Sequence, residues 1–438
     1  MANPYLPLWE YIPDGEPRVF GDRVYIYGSH DRAASEFFCD YRLMVWSAPV
    51  DDLNNWSCHG VSFCTREIDG RASDTAPWTE NELYAPDVVE RDGKYYLYAY
   101  IVGSKGCVGV ADHPEGPFTL LDRYHYDAAD AGDEGIFNDP GVLVDDDGRA
   151  YIFYGFERSH FNELEPDMVT IKKGSYKSDI IPRGADPNDF FEASSPRKIG
   201  NKYYLIYSPK YGCCLAYAIA DRPEGPYVRM GNIVDNSKDY PGGNDHGSLC
   251  NINGQWYIFY HRMTNGTITS RRACVERVEI LPDGTIHEVE MTSLGFEPAL
   301  NPYRITPADI ACVLKNGCFV TEKDVFTRCI TAIRKGAVIG YKYFDFGDDF
   351  TGDLMTFAVQ VSGSGCKAEI HIRIDSEDGE EIGVCETDTH DGTYQTKVKP
   401  VTGCHSVYLV MEHGYHGWAS NAFDARQLFD LQAFVFMK

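Results

Sequence analysis

The chain has 438 residues, with 40 Lys and Arg against 66 Asp and Glu, a formal net charge of −26. So acidic a surface repels the phosphates of nucleic acids and anionic lipids, leaving neutral or cationic small molecules as partners. Aromatic residues make up 13% and charged residues only 24%, a composition that packs a core and argues against disorder. The length predicts two domains, or one large repeat fold with an appendage.

No apolar run approaches the ~18 residues that span a bilayer. The opening residues lack a basic region and include Glu10, which does not read as a signal peptide, so a cytoplasmic location is expected. The 14 cysteines include no Cys-x-x-Cys pair and no zinc-ligand spacing, and they read as reduced, buried thiols.

Five segments repeat one template, a polar turn followed by a strand with Tyr at its fifth position. They are GDRVYIYGS from Gly21, DGKYYLYAY from Asp92, DGRAYIFYG from Asp147, GNKYYLIYS from Gly200 and NGQWYIFYH from Asn253. The shared tyrosines are Tyr25, Tyr96, Tyr151, Tyr204 and Tyr257, separated by 71, 55, 53 and 53 residues. A second repeat, ADHPEGPF at Ala111 and ADRPEGPY at Ala220, punctuates a loop between outer strands at twice that period. Strand-rich units near fifty residues predict an all-β, five-bladed β-propeller over residues 1–297.

A Pro-rich linker follows at 298–306. Beyond it EIHIRID, from Glu369, alternates strictly, with Ile370, Ile372 and Ile374 on one face. Thr356 to Val361, Ser406 to Met411 and Phe429 to Phe436 behave alike. Residues 307–438 are therefore expected to form a β-sandwich.

A propeller gathers the entries of its innermost strands around one mouth, so residues just upstream of the templates should converge. Asp14 lies 11 residues before its repeat Tyr, Asp139 and Glu192 lie 12, His246 lies 11 and Asp87 lies 9. Four blades thus offer a carboxylate and the fifth a histidine. Crowded carboxylates perturb one another until one keeps its proton near neutrality, the equipment for cleaving a glycosidic bond. Each residue alone could equally be a turn cap or a core group.

The contexts Ile12-Pro13-Asp14-Gly15, Phe137-Asn138-Asp139-Pro140, Phe190-Phe191-Glu192-Ala193 and Tyr84-Ala85-Pro86-Asp87 resemble glycoside hydrolase family 43, the β-xylosidases, α-L-arabinofuranosidases and arabinanases. Gly243-Asn244-Asp245-His246-Gly247 and Tyr260-His261-Arg262 resemble that family's histidine and arginine motifs. The resemblance implies Asp14 as general base, Asp139 as the carboxylate that raises and orients Glu192, and Glu192 as general acid, with inversion at the anomeric centre. Because the family's base directly precedes a proline, Glu16, before Pro17, stands in reserve.

The resemblance also implies that Arg262 reaches the pocket, although a surface ion pair is the alternative. His246 would face the channel near an optional calcium or water; the sandwich domain is the other place for an optional calcium, and no cofactor is required. Tyr84, where the family has Trp, reads as a sugar platform or as core. The sandwich resembles a family 6 carbohydrate-binding module on Tyr343-Phe344-Asp345-Phe346-Gly347, Gly392-Thr393-Tyr394 and the closing strand, with Trp418 as a further platform and packing on the propeller as the other role. The expected partner is a small xylo- or arabino-oligosaccharide, trimmed from its end. Rival readings are a retaining, fructosidase-type propeller and a propeller lectin.

Overall fold

The computed structural model describes residues 2–75, 79–103, 106–126, 137–184 and 190–438. Five small antiparallel sheets come first. They are β1 Glu16–Phe20, β2 Arg23–Tyr27, β3 Arg42–Pro49 and β4 Ser57–Cys64; β5 Leu83–Arg91, β6 Lys94–Ile101, β7 Gly106–Ala111 and β8 Thr119–Tyr126; β9 Gly141–Val144, β10 Ala150–Tyr154, β11 His160–Leu164 and β12 Lys177–Ser178; β13 Phe190–Ile199, β14 Lys202–Pro209, β15 Cys214–Ala220 and β16 Val228–Asp235; and β17 Ser248–Ile252, β18 Gln255–Thr264 and β19 Thr267–Val278.

Each repeat Tyr sits on the second strand of its blade. The turns before the templates explain the hairpins. Asp92-Gly93 and Asn253-Gly254 both take positive φ at two successive residues, the backbone of a type I′ turn that matches strand twist. The PEGP repeats fall between third and fourth strands, where Phe118 and Tyr227 are buried. The first strands lie against one another around the ring: β1 against β5 and β17, β5 against β9, β9 against β13.

Blade five has three strands, and the chain's start runs beside its outer one. Tyr5 N donates to Ala273 O at 3.1 Å, and Val275 N donates to Asn3 Oδ1 at 2.9 Å. Tyr5, Phe259 and Phe296 meet edge to face behind this seam.

The sandwich comprises β20 Thr306–Pro307, β21 Val313–Lys315, β22 Phe319–Asp324, β23 Thr327–Thr331, β24 Val338–Asp345, β25 Met355–Ser362, β26 Ala368–Ile374, β27 Glu381–Thr387, β28 Gly392–Val398, β29 Cys404–His413 and β30 Asp430–Met437. One sheet orders β22-β23-β30-β25-β28 and the other β21-β24-β29-β26-β27. Ile370, Ile372 and Ile374 of β26 are buried while their neighbours are half-buried. The stretch 298–306 is bonded to this domain: Leu300 N donates to Tyr343 O, and Phe436 N to Pro302 O. One hydrophobic cluster runs without a break from Tyr204 and Leu249 of the propeller to Phe357 and Phe434 of the sandwich. All the cysteines are unpaired, and all but Cys58 and Cys404 are buried.

Candidate active site

The entries to the first strands share an unusual backbone. Asp14, Ala85, Asp139 and Ala193 have φ of 57°, 38°, 47° and 68°, left-handed values that non-glycine residues seldom adopt. Each stands 11 or 12 residues before its repeat Tyr, so four blades turn the chain into the channel wall in the same way. Bulges at Tyr84/Asp87 on β5 and around Glu192 on β13 re-aim side chains at the same level. The result is a cavity of about 210 Å³ lined by Asp14, Tyr84, Asp139, Glu192, His246 and Arg271 among others.

Arg271 supplies the positive charge. Its Nη1 donates to Asp14 Oδ1 at 2.8 Å, while Nε and Nη2 grip the two oxygens of Asp31 at 2.9 Å. Burial works against the Asp14 carboxylate, but the charge of Arg271 outweighs it and holds its pKa below the ordinary range. Asp14 is therefore ionised.

The other two carboxyls are pushed the opposite way. Burial first, and then the charge of Asp14, raise Glu192 to about 7, against the pull of Arg271 and the amides of Asn138 and Asn244. Burial, then Glu192 and Asp14, raise Asp139 well above the ordinary carboxylate range. This pair holds a proton at neutral pH. Asp139 also fixes the backbone beside Glu192, because its Oδ2 accepts the N–H of Ala193 at 3.0 Å.

Two histidines flank the carboxylates. His246 Nδ1 lies 3.7 Å from Asp139 Oδ2 and 4.0 Å from Asp14 Oδ1, and burial lowers its pKa. His261 is neutral, since burial and then Arg271 lower it to about 3. Its Nε2–H donates to Asn244 O at 3.1 Å, which leaves Nδ1 to accept the Asp14 N–H at 3.3 Å. His261 thus orients the main chain of Asp14 and not its carboxylate.

Five of the six expected site residues share this cavity. The sixth, Arg262, does not. On the β18–β19 ladder Arg262 opposes Arg272 and Met263 opposes Arg271. Directly opposed residues point to the same face of a sheet. Arg262 and Arg272 therefore both turn away from the cavity, Arg262 to Tyr260, Glu276 and the carbonyl of Thr292, Arg272 to Asp309. The cavity's arginine is Arg271, one residue along the strand from the other face.

Glu16 and Asp87 lie below the cavity. Both stand 9 residues before their repeat Tyr, deeper along the first strands. Glu16 Oε2 binds Arg197 Nη2 at 2.6 Å, and Asp87 takes a two-pronged contact from Arg18 at 2.9 and 2.6 Å. The fourth expected carboxylate of the funnel is thus a structural ion pair, as is the reserve base. Arg271, His261, Asn138 and Asn244 went unassigned in the sequence reading, although the last three stand inside quoted motifs. Phe38, Cys39 and Phe191 complete the lining, and Phe156 packs on Phe191 with ring centroids 4.8 Å apart.

The family model for glycosyl hydrolases family 43 matches residues 11–286, and that for carbohydrate binding module (family 6) matches 319–437. A xylosidase/arabinosidase of Thermoclostridium stercorarium is 39% identical over 401 residues, which is 78% of this chain and 82% of the relative. A family 43 β-xylosidase/α-arabinofuranosidase from a compost metagenome, solved with xylotriose in a calcium-free form, superposes with a TM-score of 0.53 at 27% identity, covering 66% of this chain and 97% of that one. An arabinoxylan arabinofuranohydrolase of Bacillus subtilis, solved with cellotetraose, covers all of this chain and 97% of its own with a TM-score of 0.57; at 24% identity that likeness speaks to the two-domain fold.

Calcium takes six to eight oxygen ligands. Among the described residues no three His, Cys, Asp or Glu side chains are grouped to hold a metal. His246 offers one nitrogen, and the carboxylates beside it are engaged by Arg271 and the Ala193 N–H. Side chains alone do not supply a calcium shell around His246; an ion there would take backbone carbonyls or water as its remaining ligands.

Proposed function

Because the chain belongs to family 43 of the glycosyl hydrolases, we propose that it is an inverting, exo-acting β-xylosidase/α-L-arabinofuranosidase that trims xylo- or arabino-oligosaccharides. The observation that carries this reading is one cavity holding two carboxyls of opposite character: Asp14, kept ionised by Arg271, and Glu192, raised to about 7. Asp14 takes a proton from a water molecule, which attacks the anomeric carbon. Glu192 gives its proton to the departing glycosidic oxygen. Inversion requires ~6.5–9.5 Å between the two carboxyls to admit that water.

Asp139 serves the acid by position and charge. A cavity of about 210 Å³ lies below the ~300–1,000 Å³ usual for larger ligands, which favours a single terminal sugar. Tyr84, Phe38 and Phe191 supply apolar faces for it. The named activities of the relatives support the pentose assignment. A reducing compartment such as the cytoplasm suits a chain whose 14 cysteines are all free.

The test is proton NMR of xylobiose and p-nitrophenyl α-L-arabinofuranoside during hydrolysis, with Asp14→Asn and Glu192→Gln beside the wild type. First-formed α-xylose or β-arabinose, lost in Asp14→Asn, is the expected result. Retention of configuration would transfer the chain to a fructosidase-like mechanism, and tight binding without hydrolysis would make it a lectin.

A further inference from the structure

The sandwich touches the segment that carries Asp14. On β22, Glu322 Oε1 accepts the hydroxyl of Tyr11 at 2.5 Å and Nη2 of Arg328 at 2.9 Å. Arg328, buried on β23, also donates from Nη2 to the carbonyl of Leu8 at 2.5 Å. The turn after β18 joins the same contact: Asn265 N donates to Val320 O at 2.7 Å, and Glu322 N donates to Asn265 Oδ1 at 3.2 Å.

From Tyr11 the bonds continue into the cavity. The Tyr11 carbonyl accepts the N–H of Asp31 at 3.0 Å. Asp31 holds Arg271 through both carboxylate oxygens, and Arg271 reaches Asp14 at 2.8 Å. Tyr11 is also three residues before Asp14, with Pro13 stiffening the stretch between them. From the Tyr11–Glu322 hydrogen bond two routes thus run to the same carboxylate, one along the main chain to Asp14 and one through Asp31 and Arg271.

We propose that Glu322 of the sandwich is a positioning residue for Asp14, so that the accessory domain helps to build the active site of the propeller. The proposal rests on the reading of Asp14 as the base. Positional errors near 1 Å at a reacting group cost up to ~10²-fold in rate, so a modest loosening of this contact is measurable. The charged and titratable groups that face Asp14 are Arg271 of β19, His261 of β18, His246 and Asp245 before β17, Asp139 before β9, Glu192 of β13, Cys39 before β3 and Tyr84 of β5. None belongs to the sandwich, so a change at Glu322 reaches Asp14 only by moving the propeller's own groups.

The experiment compares full-length wild type with Glu322→Ala, Glu322→Gln, Tyr11→Phe and Glu290→Ala. Glu290 pairs with Lys342 at another point of the domain junction and has no such route to Asp14. Glu322→Ala is expected to lower kcat about tenfold with little change in KM, and to move the acidic limb of the pH profile upward. Tyr11→Phe should do the same, and Glu322→Gln, which keeps an acceptor for the hydroxyl, should recover most of the rate. Hydrogen exchange of peptides over residues 11–16 should quicken in Glu322→Ala and not in Glu290→Ala. Unchanged exchange and pH profile in both Glu322→Ala and Tyr11→Phe, or an equal effect of Glu290→Ala, would overturn the proposal. If the wild type hydrolyses neither substrate, the proposed function falls, while the exchange data still decide whether the sandwich orders this segment.

Discussion

Arg271 and Asp14 meet as a buried pair at 2.8 Å, and the same guanidinium is forked onto Asp31, so its plane is fixed before any substrate arrives. A lysine could keep the charge but not the fork. Arg271→Lys should raise the Asp14 pKa toward the ordinary carboxylate range. Because Asp14 is depressed in the folded protein, its stabilising contribution is present above the ordinary Asp range and is lost as pH falls through the folded value. The variant's acid-unfolding midpoint and the acidic limb of kcat/KM should both move upward, with kcat/KM down roughly 10²-fold.

Glu192 carries the opposite sign. Its folded pKa of about 7 lies above the ordinary 4.5, so the folded state keeps the proton longer than the unfolded chain. The resulting stability is complete at low pH and is lost as pH rises through about 7. Glu192→Gln should therefore melt higher than wild type at about pH 8, with the gap closing near pH 5. The same variant should lose about 10³-fold in kcat on xylobiose, and less on a p-nitrophenyl glycoside whose leaving group needs no proton.

Arg262 yields a contrasting expectation. It is wholly buried against Glu276 and Tyr260, away from the cavity. Arg262→Met should cost about 3–5 kcal/mol in denaturant titration, because Glu276 is left buried without the guanidinium that offsets its charge. KM of the folded fraction should match the wild type.

Phe156, 39% exposed, packs on Phe191 of the cavity lining, and its open ring face is expected to meet the sugar beyond the cleaved bond. Phe156→Ala should raise KM for xylotriose by about three- to tenfold, the equivalent of the ~0.5–1.5 kcal/mol of an aromatic contact. KM for p-nitrophenyl arabinofuranoside should change less.

The spacing of the templates made the blades legible, because one Tyr per second strand and one polar turn before it recur at nearly constant separation. Depth was not legible in the same way: Asp87, at 9 before its Tyr, is expected in the funnel beside positions 11 and 12, but in the structure it is spent on Arg18, as Glu16, also at 9, is on Arg197. Arg271 was invisible for a physical reason. Ser270-Arg271-Arg272 shows two adjacent arginines, and which of them faces the cavity depends on how β19 pairs with β18, a long-range register absent from local pattern. The contact of Glu322 with Tyr11 spans 311 residues and has no local signature at all.

The left-handed turns at Asp14, Ala85, Asp139 and Ala193 decide which knockouts can be interpreted. Such a conformation costs of order 1 kcal/mol or more for most side chains and least for Asp and Asn. Asp14→Asn and Asp139→Asn leave shape and turn alone, and change only charge. A valine or threonine at either place would strain the turn itself, and lost turnover would then report a bent loop as readily as a missing base. Glycine at position 85 or 193 has the reverse meaning: it relaxes the backbone while adding freedom to the unfolded chain, so those two alanines measure how much rigidity the mouth of the channel requires.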